Sequence, residues 1–254
     1  MMPRTRRKFT KERPPDPAAL DAPQRVYVAC PLPGPLHGAI DRLTGQLEAS
    51  ELPIRWVGGS SAHLTLLFIG EVPPETVEIL RLGLPRGMAG LPSVKLQVDG
   101  AGAFPSIEQP NVVWLGLRGD VAGLQKLRTR VVKTLASLSF EIEPEPFKPH
   151  ITLGRSRQPL NTPQRDTLQR LLKTERLRAE IPKALLAPFE IKEVQLVRSV
   201  LGPDGATHTA IQAYPLVTEP AATGPTRTES ELIEPQTTEP ERGEPVVEPE
   251  VTGP

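Results

Sequence analysis

Two short stretches carry side chains suited to acid–base chemistry. Ala62-His63-Leu-Thr65-Leu-Leu-Phe-Ile-Gly70 and Phe147-Lys-Pro-His150-Ile-Thr152-Leu-Gly-Arg155 both contain His-x-Thr-Leu, followed within a few residues by Gly. The chain has four histidines, and two of them head these copies. An unperturbed imidazole titrates near pH 6.5, so one copy can be neutral while the other is protonated close to pH 7. The neutral ring takes a proton from water, and the protonated one gives a proton to a departing alkoxide. Threonine hydroxyls beside them are suited to donate to non-bridging phosphate oxygens, whose charge changes along the reaction. A lone strand histidine is more often a hydrogen-bonded structural residue. Two copies at corresponding places in two half-chains favour chemistry.

Position follows from strand geometry. Alternate side chains of a strand share a face, so His63 and Thr65 point one way while Leu64 and Leu66 point the other. The same parity sets His150 and Thr152 against Ile151 and Leu153. Each copy thus offers one imidazole and one hydroxyl from one face and buries an aliphatic face.

The remaining elements repeat around these strands. Arg25–Cys30 reads as a strand closed by Pro31-Leu-Pro-Gly-Pro35. Leu36, Ile40, Leu43 and Leu47 give residues 36–50 a helical stripe. Ile54–Val57 leads through Gly58-Gly-Ser-Ser61 into the first His strand, Ala62–Ile69. Pro73-Pro74 opens a second helix with Val77, Leu80 and Leu84 as its apolar side. Val94–Val98 alternates like a half-buried strand, and Gly100-Ala-Gly-Ala-Phe-Pro105 reads as a turn-rich connection.

The second half has a strand at Asn111–Leu117 and a helix over 121–138. The second His strand follows at Pro149–Leu153. Residues 160–178 read as a charged surface helix. Phe189–Val197 and His208–Leu216 read as strands joined by the turn Gly202-Pro-Asp-Gly205. The recurrence predicts an α+β fold of two similar lobes about a pseudo-two-fold axis, with the His strands adjacent at the centre.

Composition bounds the rest. A low hydrophobic fraction (38%) and 31 prolines in 254 residues point to segments outside any packed core. Residues 1–23 are basic and Pro-rich, and 218–254 are rich in Pro, Glu, Thr and Gly, so both are expected to be disordered around a domain at 24–217. The net charge of zero is therefore a sum of a basic head, an acidic tail and a slightly basic middle. Cys30 is the single cysteine and excludes an intrachain disulfide or a Cys-based metal site. No apolar run approaches the ~18 residues of a membrane span, and the basic head lacks a signal-type apolar stretch. The expected state is a cytoplasmic monomer.

With these residues in place, the chain resembles the two-histidine (2H) phosphoesterases, and within them the RNA 2′,3′-cyclic phosphodiesterases, also called 2′-5′ RNA ligases. The resemblance rests on both His-x-Thr units, Arg25-Val-Tyr-Val-Ala-Cys-Pro-Leu-Pro33, Arg55-Trp-Val57, Gly102-Ala-Phe-Pro105, Pro146-Phe-Lys-Pro149 with Arg155, and Ser199-Val-Leu-Gly-Pro203. It implies a bilobal fold whose antiparallel sheets line a central cleft with helices outside. It implies hydrolysis of RNA 2′,3′-cyclic phosphate ends, or of small cyclic nucleotides, to 2′-phosphates, with no metal or other cofactor.

By the same resemblance His63 is the proton donor to the leaving 3′ oxygen, His150 is the proton acceptor from water, and Thr65 and Thr152 hold the phosphate. Pseudo-symmetry leaves exchange of the two histidine roles open. Arg155 matches an arginine of the family, although strand parity turns it from the cleft unless the strand ends at Gly154. Lys148 shares parity with His150 and is either an RNA phosphate contact or a solvated lysine. Tyr27 either stacks on a base or packs in the core, and Trp56 and Trp114 read as core residues. His208 stands where relatives commonly carry Tyr, and His37 reads as a helix-surface residue. The basic head reads as either an RNA contact or a solubilising segment, and the acidic tail as a screen for head or cleft. Joining of tRNA halves through a 2′-5′ bond, and a non-catalytic nucleotide- or RNA-binding module, are the alternatives.

Overall fold

Strand β1 (Gln24–Pro31) lies between β3 (His63–Val72) and β8 (Glu193–Gly202) and is buried on both faces over Val26–Cys30. This is a computed structural model, and it describes residues 22–142, 146–173, 181–202 and 205–218. The chain divides after Glu219 into two units, and every described residue falls in the first. The readings of residues 1–21 and 219–254 as disordered, RNA-contacting or screening tails lie outside the described residues. So do Pro203 and Asp204 of the expected turn.

The remaining strands are β2 (Ile54–Trp56), β4 (Val94–Pro105), β5 (Pro110–Gly119), β6 (His150–Ser156), β7 (Phe189–Ile191) and β9 (Gly205–Pro215). Among the described residues, nine strands join one antiparallel sheet in the order β7-β4-β5-β6-β3-β1-β8-β9, with β2 also paired to β6. Read outward from the centre, β3-β1-β8-β9 on one side answers β6-β5-β4-β7 on the other. The two His strands meet at this centre through the pair Leu64↔Ile151. The expected lobes are therefore present, and their sheets join edge to edge into one sheet.

Among the described residues, five helices connect the strands: α1 (Gly34–Glu48), α2 (Pro74–Met88), α3 (Val121–Ser137), α4 (Thr162–Leu172) and the short α5 (Lys183–Leu186). Local chemistry starts them. Pro35 and Pro74 occupy first-turn positions, where a missing N–H leaves no bond unmade. The Asp120 carboxylate accepts from the Gly123 N–H at 2.8 Å to cap α3, and Asn161 with Gln164 forms a capping box on α4. The predicted stripes are the buried ones: Leu36, Ile40, Leu43 and Leu47 on α1, and Leu124, Leu127, Val131 and Leu135 on α3. They pack on the face of the sheet that carries Val26, Val28, Leu64, Leu66, Ile151 and Leu153. Tyr27, Ala29 and Val197 form a small separate cluster on the opposite face, and there the sheet is free to hold polar groups.

Three sequence expectations change. The glycine-rich run 100–105 is not a connection but the second half of β4. A bulge between Val98 and Ala101 bends the strand, and Gly100 at φ 72° supplies a backbone state that a side chain would oppose. The expected strand Phe189–Val197 breaks at Lys192. Its first part, β7, pairs with β4 in one lobe, and its continuation, β8, pairs with β1 in the other. The charged helix is shorter than expected, ending at Leu172, and it buries Leu168, Leu171 and Leu172 rather than crossing the surface; the expected continuation from 174 to 178 lies outside the described residues. Among the described residues, no helix is long and apolar enough to cross a membrane.

Candidate active site

A 3₁₀ turn at Gly59–Ser61 delivers the chain into β3. It docks on α1, where the Asp41 carboxylate accepts from the Gly59 N–H at 2.6 Å. The Ser61 carbonyl, two residues before His63, then accepts from that ring's Nδ1 at 2.8 Å. The second copy is built the same way, with the Lys148 carbonyl accepting from His150 Nδ1 at 2.7 Å. A carbonyl can only accept, so each Nδ1 carries its proton and each Nε2 is the ring nitrogen left for a ligand. Aromatic neighbours hold the rings. Tyr27 stacks on His63 with centroids 5.0 Å apart, and Phe104 meets His150 edge-on at 5.0 Å.

Both rings line one cavity of about 370 Å³, together with Thr65 and Thr152. Among the described residues, neither threonine hydroxyl has a hydrogen-bond partner, so both are available to a ligand. The four residues predicted to act together are thus brought together. Burial holds the His63 pKa down at about 4, reinforced by the positive charge of His208, Arg155 and His150 and opposed by the Ser61 carbonyl. His150 is lowered as well, by burial first and then by Arg155. Without ligand both rings are biased toward the neutral form.

Arg155 also lines the cavity, and the reason corrects the parity argument. Strand β6 does not end at Gly154 but runs to Ser156. Opposite the single step from Val113 to Trp114 on β5 it makes two, from Gly154 to Thr152. This bulge restores register, so His150, Thr152 and Arg155 oppose Gly116, Trp114 and Val112, which alternate along one face of β5.

Tyr27 lines the cavity too, but it is 2% exposed and its ring is covered by His63, Phe68 and His208. Lys148 precedes β6, is exposed, and places its ammonium 5.7 Å from the Phe104 ring centre rather than in the cavity lining. Trp56 both packs against the core and lines the cavity, whereas Trp114 lies against Phe104 with its indole N–H buried and unpartnered. His37 sits on α1, as expected for a helix residue, and does not line the cavity.

Several lining residues carried no assigned role in the sequence reading. His208 from β9 meets His63 edge-on at 5.1 Å, and its Nδ1 is buried without a partner. Arg25, Arg55, Ser199 and the exposed ring of Phe68 complete that side. One signal was present for Phe68: it follows His63 by the same offset at which Arg155 follows His150. A like bulge, two steps on β3 from Leu67 to Thr65 against one on β1, turns it inward.

The chain matches the family model described as the 2′-5′ RNA ligase superfamily over residues 32–202. It is 30% identical over 175 residues to the RNA 2′,3′-cyclic phosphodiesterase of Aeropyrum pernix, covering 68% of this chain and 93% of that protein. It is 26% identical over 192 residues to the enzyme of that name from Methanothermobacter thermautotrophicus, covering 76% and 98%. Among solved structures, Escherichia coli LigT complexed with 3′-AMP superposes with a TM-score of 0.55 at 25% identity, covering 76% of this chain and 98% of LigT. TT0787 of Thermus thermophilus gives a TM-score of 0.60 at 23% identity, covering 75% and 97%, and shares the fold. A matching family model over two-thirds of the chain, with paired His-x-Thr strands in one cavity, places this protein in the 2′-5′ RNA ligase superfamily of two-histidine phosphoesterases.

Proposed function

We propose that this protein hydrolyses the 2′,3′-cyclic phosphodiester end of RNA, or of a small cyclic nucleotide, to a 2′-phosphate. The observation that carries the reading is the duplicated clamp: two imidazoles fixed through Nδ1, each with Nε2 free, beside two unpartnered threonine hydroxyls in one cavity. The names of the related phosphodiesterases support the choice of substrate. His150 Nε2 takes a proton from water as its oxygen bonds to phosphorus. The bond from phosphorus to the 3′ oxygen breaks, and protonated His63 Nε2 gives its proton to that oxygen. Thr65 and Thr152 donate to the non-bridging oxygens as negative charge grows there. Arg155 contacts the substrate phosphate or nucleotide, with Lys148 at the cavity's edge and Tyr27 behind His63. No metal or other cofactor takes part. The catalyst ends with His63 neutral and His150 protonated, and proton exchange with solvent resets it.

The test is turnover of an oligonucleotide ending in a 2′,3′-cyclic phosphate, in EDTA, with the product followed by phosphorus NMR. A 2′-phosphate is expected. A 3′-phosphate, or dependence on added metal, overturns the reading. An incoming RNA 5′-hydroxyl in place of water would give a 2′-5′ linkage through the same steps, as the superfamily's description suggests. A joined product in the same spectrum identifies it.

The pH dependence has a definite sign. His63 must be protonated to act as acid, yet its free-enzyme pKa is lowered to about 4, so its protonated fraction falls as pH rises through that region. His150 must be neutral to act as base, and its pKa is also lowered, so its limb too lies below 6.5. A bell-shaped kcat/KM profile centred below pH 6.5 is expected, because kcat/KM reports the free enzyme. Bound phosphate adds negative charge beside both rings and raises both values, so the kcat profile should lie at higher pH. A kcat/KM optimum above pH 7, from initial rates across pH 4–9, contradicts this.

A further inference from the structure

Two guanidiniums in the cavity have no part in the steps above. Arg25 on β1 and Arg55 on β2 line it together with Arg155 on β6, and among the described residues no aspartate or glutamate does. Arg55 and Arg155 stand directly opposite each other across the β2–β6 pair. Like charges so placed are destabilising in a sheet, which suits a site completed by an anion. Arg25 shares its strand face with Tyr27 and Ala29 and faces Ser199, another lining residue, across β1–β8. On its other side Glu71 stands across β1–β3, but it does not line the cavity and forms no ion pair with Arg25. Among the described residues none of the three arginines has a carboxylate partner. Burial and the charges of Arg25 and Arg55 push the Arg155 pKa down, so the three groups feel one another.

Counting charge against need points to a second ligand group. A cyclic phosphodiester carries one negative charge, and Thr65, Thr152 and the two imidazoles already surround it. Three further fixed positive charges exceed what that group requires. Guanidinium is the side chain best matched to phosphate, with paired N–H donors in a fixed fork. Arg155 lies three residues beyond Thr152, at most about 10 Å along the strand, a separation on the scale of one nucleoside.

We infer that Arg25, Arg55 and Arg155 form a second anion subsite, which takes the phosphate on the 5′ side of the terminal nucleoside while the cyclic phosphate lies between His63 and His150. The inference rests on the proposed reaction and narrows its substrate. The preferred ligand carries two phosphoryl groups, the second being either a free 5′-phosphate or the internucleotide diester of a longer RNA.

Three substrates with one base test it: a nucleoside 2′,3′-cyclic phosphate, the same compound bearing a 5′-phosphate, and a dinucleotide ending in that cyclic phosphate. The wild-type protein is expected to show a kcat/KM about tenfold or more higher for at least one substrate with the second phosphate, mainly through KM. The advantage should shrink as salt rises. In the R25Q/R55Q double variant the ratio between substrates should fall toward one. An advantage confined to the dinucleotide identifies an RNA diester as the ligand, and one shared by the 5′-phosphate identifies any second phosphate.

Equal kcat/KM for all three in the wild type overturns the subsite and leaves the hydrolysis reading standing. A ratio unchanged in the double variant overturns its assignment to these residues. Should the double variant melt early, the single variants, both at exposed positions, carry the same comparison. If no substrate turns over, the hydrolysis reading fails, and calorimetry decides the subsite alone. A nucleoside 2′,5′-bisphosphate binding about tenfold tighter than the 2′-phosphate upholds it, and equal binding overturns it.

Discussion

Replacing His150 with alanine lowers kcat by about 10²- to 10⁴-fold, the scale for loss of a positioned general acid or base, with little change in KM. The expectation follows from the clamp. The Lys148 carbonyl fixes one tautomer, which leaves Nε2 to take the water proton in the proposed reaction, and among the described residues no carboxylate lines the cavity to replace it. His63→Ala removes the matching donor and should cost a similar factor. The two act in one step, so the double variant should fall well short of the product of the single losses. Steady-state rates on a cyclic-phosphate substrate for all four proteins check this. Near wild-type turnover in either single variant removes that histidine from the chemistry. A substrate with a good leaving group refines the roles, because it lessens the need for an acid and should restore more activity to the His63 variant than to the His150 variant. The opposite pattern exchanges the two assignments.

The second large effect lies away from the reacting groups. Gly59→Ala should destabilise the fold by about 1–3 kcal/mol, the range for overpacking, and should also lower kcat. A Cβ at Gly59 would run into the backbone carbonyl of His37 on α1, and backbone in a helix cannot turn aside as a side chain can. The 3₁₀ turn must then lift from α1, weakening the bond to Asp41 and moving the Ser61 carbonyl that orients His63. Thermal melting and kcat measured on the same preparation test both parts. A fall in melting temperature with unchanged kcat would show that the turn supports the fold without setting the ring. No change in either would mean that the contact is readily relieved.

How far the site could be read in advance depended on how local its causes are. His63, Thr65, His150 and Thr152 were legible because strand parity is a property of consecutive residues. Their adjacency followed from the repeat, since two like strands in two like lobes meet at the axis. Arg155 was harder to read because a bulge, set by how β6 pairs with β5, reversed its parity. The same physics hid the second half of β4, where glycines that look like a loop supply a bend within the strand. His208, Arg25 and Arg55 come from β9, β1 and β2, and only the tertiary fold brings those strands to one cavity. The break at Lys192 was invisible for a related reason. Phe189–Val197 has continuous strand character, and what divides it is that its two parts find partners in different lobes.

That division also orders events during synthesis. Strand β1 leaves the ribosome first among the described strands, yet its neighbour β8 begins only at Glu193. At roughly 5–20 residues per second the wait is on the order of ten seconds. Until then the nascent first lobe has an open strand edge along Arg25–Ala29, the row that later pairs with Gln195–Ser199. The second lobe can pair β4 with β5 as soon as both are made, while the first is closed by the last of the described strands to emerge. A chain halted before β8 would hold both histidines and still lack Ser199 and His208 from the cavity wall. Among the described strands, the two that complete the cavity wall are thus the last to be made.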